Sequence, residues 1–333
     1  MNHTRGTKVR VIREHRRDVL LAQLTHRPRV MNANNAMTMK TLRFGVEIET
    51  TRLSRQHLAV AIQRATGGSV GVGSSSATVQ MADGRVWNIV PDGSLNGSVN
   101  GEIVSPILTY ADLDMLQNVV REVRKAGAVA DDSCGLHVHT SSEDLDPRGI
   151  ARLIKMQHKH ELIIEQALGV SPDRLARFCK RVDPEVLRRV EAIRPTTVAQ
   201  LKRAWYGDEN TVPQRYSPTR YRALNCNGWL VRGAVEYRAF NGTLHAGEVK
   251  AAVQFALAFT AKAITAKSVS SKKRPYNPAS GRYDARTLLL AIGLIGPECR
   301  TVRHHFTKRL GGSSAWKNGR PAPAAMPTTT EVA

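Results

Sequence analysis

Apolar positions recur every second residue in several short stretches and at helical spacing in longer ones. Over "LRFGVEIET", Phe44, Val46 and Ile48 fall on one side and Glu47 and Glu49 on the other, which predicts a strand. "SRQHLAVAIQRATGG" is amphipathic at helical spacing and stops on glycines. "ATVQM" and "RVWNIVPDGS" read as a hairpin turning at Ala82-Asp83-Gly84. "GEIVSPIL" is a further strand, "DLDMLQNVVREVRKAG" a helix stopped by Gly127, and "CGLHVHT" a strand. Residues 147–206 are mostly helical, with Asp146 as the cap and Pro147 in the first turn. "RYRALNCNG" and "GAVEYRAFNGTL" return to strand, with Asn225-Cys226-Asn227-Gly228 as a strand end and turn. "AGEVKAAVQFALAFTAKAI" is a long apolar helix. Strand and helix do not alternate strictly, and no Gly-rich phosphate loop opens a helix, so the expected class is α+β with an antiparallel sheet.

The ends differ from this middle. Residues 1–40 read as a basic, partly disordered arm, in which "VLLAQL" forms a helix turn or two and "HRPRVMNANNAM" a linker. Residues 41–310 form the main domain, with a helical insert at about 147–215, and residues 311–333 form a disordered Pro/Ala/Thr-rich tail. Lys and Arg number 49 against 28 Asp and Glu, a net charge of +21, so contact with an acidic polymer or nucleic acid enters as one function class. The basic residues are spread along the chain, however, and no zinc-finger, RNA-recognition or P-loop pattern accompanies them. Cys134, Cys179, Cys226 and Cys299 are scattered without a CxxC pair, which argues against a zinc framework or a disulfide scaffold. No apolar run reaches membrane-spanning length and the N-terminus lacks the apolar core of a secretory signal; a cytoplasmic protein without membrane contact is expected.

The chemistry lies in residues two apart on strands. Such side chains share a face, so Glu47 with Glu49, His137 with His139, and Glu236 with Arg238 each point into one space. Asp92 and Glu102, in "PDGSLNGSVNGEIVSP", add two carboxylates. Taken singly, each has a bland reading: exposed glutamates over an apolar back, a plain turn, a surface ion pair. Strands of one sheet that turned all of them to one face would line a pocket with carboxylates and imidazoles. Such a donor set suits Mg²⁺ or Mn²⁺, and nearby arginines suit phosphate oxygens.

The ordered set "FGVEIE", "DGS…GEIVSP", "CGLHVH", "RYRALN" and "VEYRAFNGTL", over about residues 42–262, resembles the amidoligase family. That family belongs to the carboxylate–amine ligase superfamily of glutamine synthetase and glutamate–cysteine ligase. The resemblance implies a glutamine-synthetase-like catalytic fold, a curved antiparallel β-sheet funnel with helices packed on its outer face. It implies ATP and two or more Mg²⁺ or Mn²⁺ ions as cofactors, with a carboxylate substrate and an amine acceptor (an amino acid, a peptide or a protein side chain) as partners. Carried over position by position, Glu47, Glu49, Asp92, Glu102, His137 and Glu236 would hold metal. Arg238, Glu236 and Glu49 would be catalytic. His139, Arg220, Arg222 and Asn225 would bind nucleotide, His139 beside the phosphates. The implied reaction makes an amide, peptide or isopeptide bond through an acyl phosphate.

Two other readings use the same residues less well. A cupin-like metal site finds Glu143 after "HVH", but position 131 is Asp where glycine is expected, and no later strand supplies a third histidine. A nucleic-acid-binding or structural protein on a degenerate ligase fold would use the positive charge, yet would not gather five carboxylates without metal. His158, His160 and Glu161 read as a solvated helix face, and Cys134 as a small buried residue rather than a nucleophile.

Overall fold

The computed structural model describes residues 34–319. In chain order its main elements are α1 (34–41), β1 (Arg43–Thr51), α2 (Arg55–Thr66), β2 (Ser69–Val72), β3 (Ala77–Gln80), β4 (Val86–Val90), β5 (Asn100–Val104), α3 (Leu113–Lys125) and β6 (Gly135–Ser141). They continue with α4 (Pro147–Leu168), α5 (Pro172–Arg177), α6 (Pro184–Ile193), α7 (Val198–Tyr206), β7 (Leu224–Asn225), α8 (Asn227–Arg232) and β8 (Val235–Asn241). The last are α9 (Ala246–Thr265), α10 (Gly281–Ala291) and α11 (Arg300–Thr307).

β1 sits inside one eight-stranded sheet of order β2-β3-β4-β5-β1-β6-β8-β7, antiparallel at every pairing and open at both ends. Its alternation is what two-sided packing requires. Phe44, Val46 and Ile48 are buried in the hydrophobic core, while Glu47 and Glu49 turn the other way. The apolar face is covered by helices. α9 lies against β6 and β8: Tyr237 meets Phe259 and Phe240 meets Phe255 edge-on, and the hydroxyls of Thr140 and Tyr237 each lie 2.8 Å from that of Thr260. α2 and α3 complete the layer with Leu58, Ile62, Leu116 and Val120, all buried in that core. Each fully buried side chain of this kind contributes about 1.5–3 kcal/mol, so the layer holds the sheet rigid from behind.

Local signals bound the helices. The Ser54 hydroxyl accepts the His57 N–H and Gly67 ends α2 in a left-handed conformation. Asp146 caps α4 through the Gly149 N–H, with Pro147 in its first turn as expected. Three expectations are corrected. The linker expected through residue 37 is helical from 34 onward, and the buried Asn35 amide donates to the carbonyls of Ala258 and Ile292. Asn227-Gly228 opens the helix α8 rather than forming a turn. Glu161 is buried against Lys273 and accepts the Val182 N–H at 3.2 Å, so His158, His160 and Glu161 do not form a solvated face; the segment after α9 crosses over them. β2, a short edge strand, was not expected. The "VLLAQL" turn and the last fourteen residues of the tail lie outside the described residues. No described helix is long and apolar enough to cross a membrane.

Candidate functional site

The polar face of the sheet carries one continuous row of acids and imidazoles. Antiparallel register sets Glu49 opposite Glu102, Glu47 opposite His137, His139 opposite Glu236, and Glu236 opposite Asn225. Five neighbouring strands, β5, β1, β6, β8 and β7, thus contribute to it. Cross-strand neighbours on one face lie within about 5.5 Å at Cβ, so side chains distant in sequence become contacts. His137 stands at the centre. Its Nδ1 lies 3.2 Å from Glu47 Oε2 and 3.6 Å from Glu236 Oε1, and its Nε2 lies 3.8 Å from Glu49 Oε1.

A β-bulge shapes one side of the row. Leu136 pairs with Phe240 and Val138 with Tyr237, so His137 alone faces two residues, Arg238 and Ala239. Tyr237 and Phe240 therefore both reach the core although they are three apart, and Glu236 and Arg238 remain together on the polar face. Arg238 is hydrogen-bonded to Glu236 Oε1, while the Asn225 amide donates to Glu236 Oε2 at 2.6 Å. Both members of this pair are buried, so the surface ion pair that the spacing alone allowed is excluded.

The row's electrostatics are uneven. Burial pushes Glu102 up, and the charges of Glu47, Glu49 and Asp92 push it further, to about 8. Burial would also raise Glu47, but hydrogen bonds from His137 and His139 and the charge of the two rings outweigh it, and its carboxyl lies below the usual range. For Glu236 burial is likewise outweighed, by Arg238 and then the histidines, and the carboxyl is lowered. Cys134, beside the row, is buried and its thiol is pushed up to about 12, which fits an inert side chain.

Above the row lies a cavity of about 670 Å³. Glu47, Glu49, Asp92, Glu102, His137 and Glu236 line its floor. Its walls carry Arg174, Arg215, Arg220, Arg232 and Arg238, with Phe178, Tyr216 and Tyr221. Arg220 lies 5.5 Å from the Tyr216 ring and 5.6 Å from the Tyr221 ring, a cation held between two aromatic faces at the mouth. Three triads, Glu47–Glu102–His137, Glu47–His139–Glu236 and Glu49–Asp92–Glu102, each bring three ligand atoms within 4.8 Å of one another. Hard oxygens, with one imidazole in two of the triads and none in the third, fit Mg²⁺ or Mn²⁺ better than a thiolate-seeking metal. Opposed carboxylates at Glu49 and Glu102 are what a divalent cation would relieve.

The structure thus brings together Glu47, Glu49, Asp92, Glu102, His137, Glu236, Arg238, Arg220 and Asn225. It does not bring in Arg222, whose guanidinium is 2.6 Å from Asp183 Oδ2 and bonds the Arg181 carbonyl. The main chain at "RYR" leaves Tyr221 on the cavity and sends its neighbour the other way. His139 is also off the cavity wall. Its Nε2 lies 3.0 Å from Glu47 Oε1, and its Nδ1 lies 3.0 Å from Arg232. The wall residues Arg174, Phe178, Arg215, Tyr216 and Arg232 were missed. The repeated Arg-Tyr pairs Arg215-Tyr216 and Arg220-Tyr221 were a usable signal; nothing local marked Arg174 or Arg232.

An antiparallel sheet that turns acids and imidazoles into an arginine-walled cavity makes an enzyme-like site with room for metal ions beside an anion. The chain belongs to the family described as "Putative amidoligase enzyme", whose profile matches residues 40–260, from α1 through most of α9. No curated protein matches the chain.

Proposed function

We propose that the protein is an ATP-dependent carboxylate–amine ligase that joins its substrates through an acyl phosphate. The observation that supports this best is the contiguous row of Glu49, Glu102, Glu47, His137 and Glu236, with Asp92 beside it, beneath a cavity walled by guanidinium groups. Carboxylates packed this closely need cations, and a wall of arginines needs anions; a metal-bound polyphosphate meets both needs. On this reading the open sheet is the glutamine-synthetase-like funnel and the cavity its reaction chamber.

A carboxylate resists an amine because it is anionic and has no good leaving group. In the proposed reaction its oxygen bonds to the γ-phosphorus of ATP, the bond from that phosphorus to the bridging oxygen breaks, and ADP leaves. The amine nitrogen then attacks the acyl carbon and gives up a proton, the bond to the phosphate oxygen breaks, and phosphate departs. Glu47, Glu49, Asp92, Glu102, His137 and Glu236 would hold Mg²⁺ or Mn²⁺, which when bound neutralises the phosphate charge. Arg238, kept straight by Glu236, offers a planar fork to the reacting carboxylate or phosphoryl oxygens. Glu49 is fixed by the Gly135 N–H and keeps the floor in place during transfer. Arg220 meets the nucleotide at the mouth, and His139 acts from behind Glu47 and Arg232. The walls shield the acyl phosphate from water.

Glu47→Ala and Glu236→Ala proteins test this reading directly. Folded variants should lose divalent-dependent ATP turnover by about a hundredfold or more, the usual scale for removing a charge-stabilising group. Folded variants with full turnover would sink the metal-site reading.

A further inference from the structure

Arg174 enters the site from α5, outside the sheet, and is buried. All three hydrogen bonds of its guanidinium go to main-chain carbonyls: Cys134 at 3.3 Å, Arg238 at 3.3 Å and Phe240 at 3.2 Å. The first lies just before β6 and the other two flank Ala239 in the β8 bulge. A bulge disturbs the regular ladder, and here a side chain donates to the carbonyls on either side of the bulged residue. The rest of the α5 segment grips the same bulge. Cys179 packs with Ala239 and Ala223 in a small satellite cluster, and the Phe178 carbonyl accepts from Arg238 Nε at 3.5 Å. A Cβ on Gly135 would meet Arg174 Nη2 and His137 Nε2 at 3.1 Å and Glu49 Oε2 at 3.3 Å, so Arg174 is wedged against two floor residues.

We propose that Arg174 is a positioning residue that clamps the β8 bulge and so aims Arg238 into the cavity. Without the clamp, the Arg238 and Phe240 carbonyls would be buried without these donors, and the bulge could relax toward regular pairing. Regular pairing would shift one of Arg238 and Ala239 off the polar face. A lysine cannot substitute, because one compact ammonium does not span carbonyls on two strands as a planar guanidinium does. The kinetic consequence rests on the ligase reading; the structural one does not.

The test uses the full chain. Amide exchange followed by mass spectrometry should show peptides over Val235–Asn241 exchanging about tenfold faster in Arg174→Ala, with α9 unchanged. Arg174→Lys serves if the alanine protein does not fold, and should show the same pattern. In ATP turnover, kcat should fall about tenfold or more with KM for ATP within about twofold. In an Arg238→Ala background, removing Arg174 should cost less than about twofold more, because the two act as one unit. Unchanged exchange over β8 would overturn the proposal, as would additive losses in the double variant. If the wild-type protein turns over no ATP with any acceptor, the ligase reading falls, and the exchange result alone decides the clamp.

Discussion

Glu102 sets the site's response to pH. Its folded value of about 8 lies above the ordinary 4.5, so the neutral acid is favoured by folding. Its contribution to stability is therefore complete below about 4.5 and is lost as pH rises through about 8. Glu47 and Glu236 have the opposite sign: both are lowered, so their contribution is present above 4.5 and lost as pH falls below it. In metal-free protein, Glu102→Gln should leave the melting temperature nearly unchanged near pH 4 and raise it relative to wild type by a margin that grows from about pH 5 to pH 9. Equal melting at every pH would show that Glu102 holds no extra proton. Divalent binding has to expel that proton. Calorimetry of Mn²⁺ binding at pH 7 in buffers of different ionisation heat should record close to one proton released by wild type, and less by the glutamine variant. Gly135→Ala forces a methyl between Arg174, His137 and Glu49; it should cost about 1–3 kcal/mol in denaturant unfolding and weaken Mn²⁺ binding. Arg238→Lys should fold normally yet lose most of its ATP turnover, because a point charge does not replace the fork.

The elements divide into those that hold themselves and those that are held by others. α4 is of the first kind. Asp146→Ala should cost about 1 kcal/mol of stability by freeing the Gly149 N–H, with Mn²⁺ affinity unchanged, since the cap lies away from the site. Such elements were legible, because the cap and the first-turn proline adjoin in the sequence. The strands bearing the row were legible too, since alternation alone puts Glu47 with Glu49 and His137 with His139 on one face. β2 was not: Ser69-Val70-Gly71-Val72 is largely exposed, and its identity comes from pairing with β3. α8 was read as a turn because Asn227-Gly228 has turn chemistry; the helix is set by its place after β7, where the Asn225 side chain accepts the Gly228 N–H. The β8 bulge left a faint trace, the adjacent apolar residues Ala239 and Phe240 breaking the alternation. Arg174 left none, because its role exists only once α5 is folded onto two strands. Arg222 lies off the cavity for the converse reason: its spacing matched the motif, but Asp183 holds its guanidinium.

At the scale of the molecule, the sheet separates two jobs. One face is dry and helix-covered, and the other is an acid-floored cavity whose walls come from the segments between β6 and β8. The rigid face lets opposed carboxylates such as Glu49 and Glu102 stay close without the strands parting. The wide spread of positive charge, +21 over the chain, leaves a cavity in which acids and arginines are matched instead of one sign prevailing. That balance suits a metal-bound polyphosphate better than a bare nucleic-acid strand. The acid and amine substrates are to be found by screening amino acids, peptides and acidic proteins with ATP and Mg²⁺ or Mn²⁺. The first hit then allows the acyl phosphate to be tested: the joining reaction is run with an acid whose carboxylate carries ¹⁸O. An acyl phosphate predicts ADP as the nucleotide product and ¹⁸O in the released phosphate. AMP with pyrophosphate, or phosphate free of ¹⁸O while the amide forms, would contradict it.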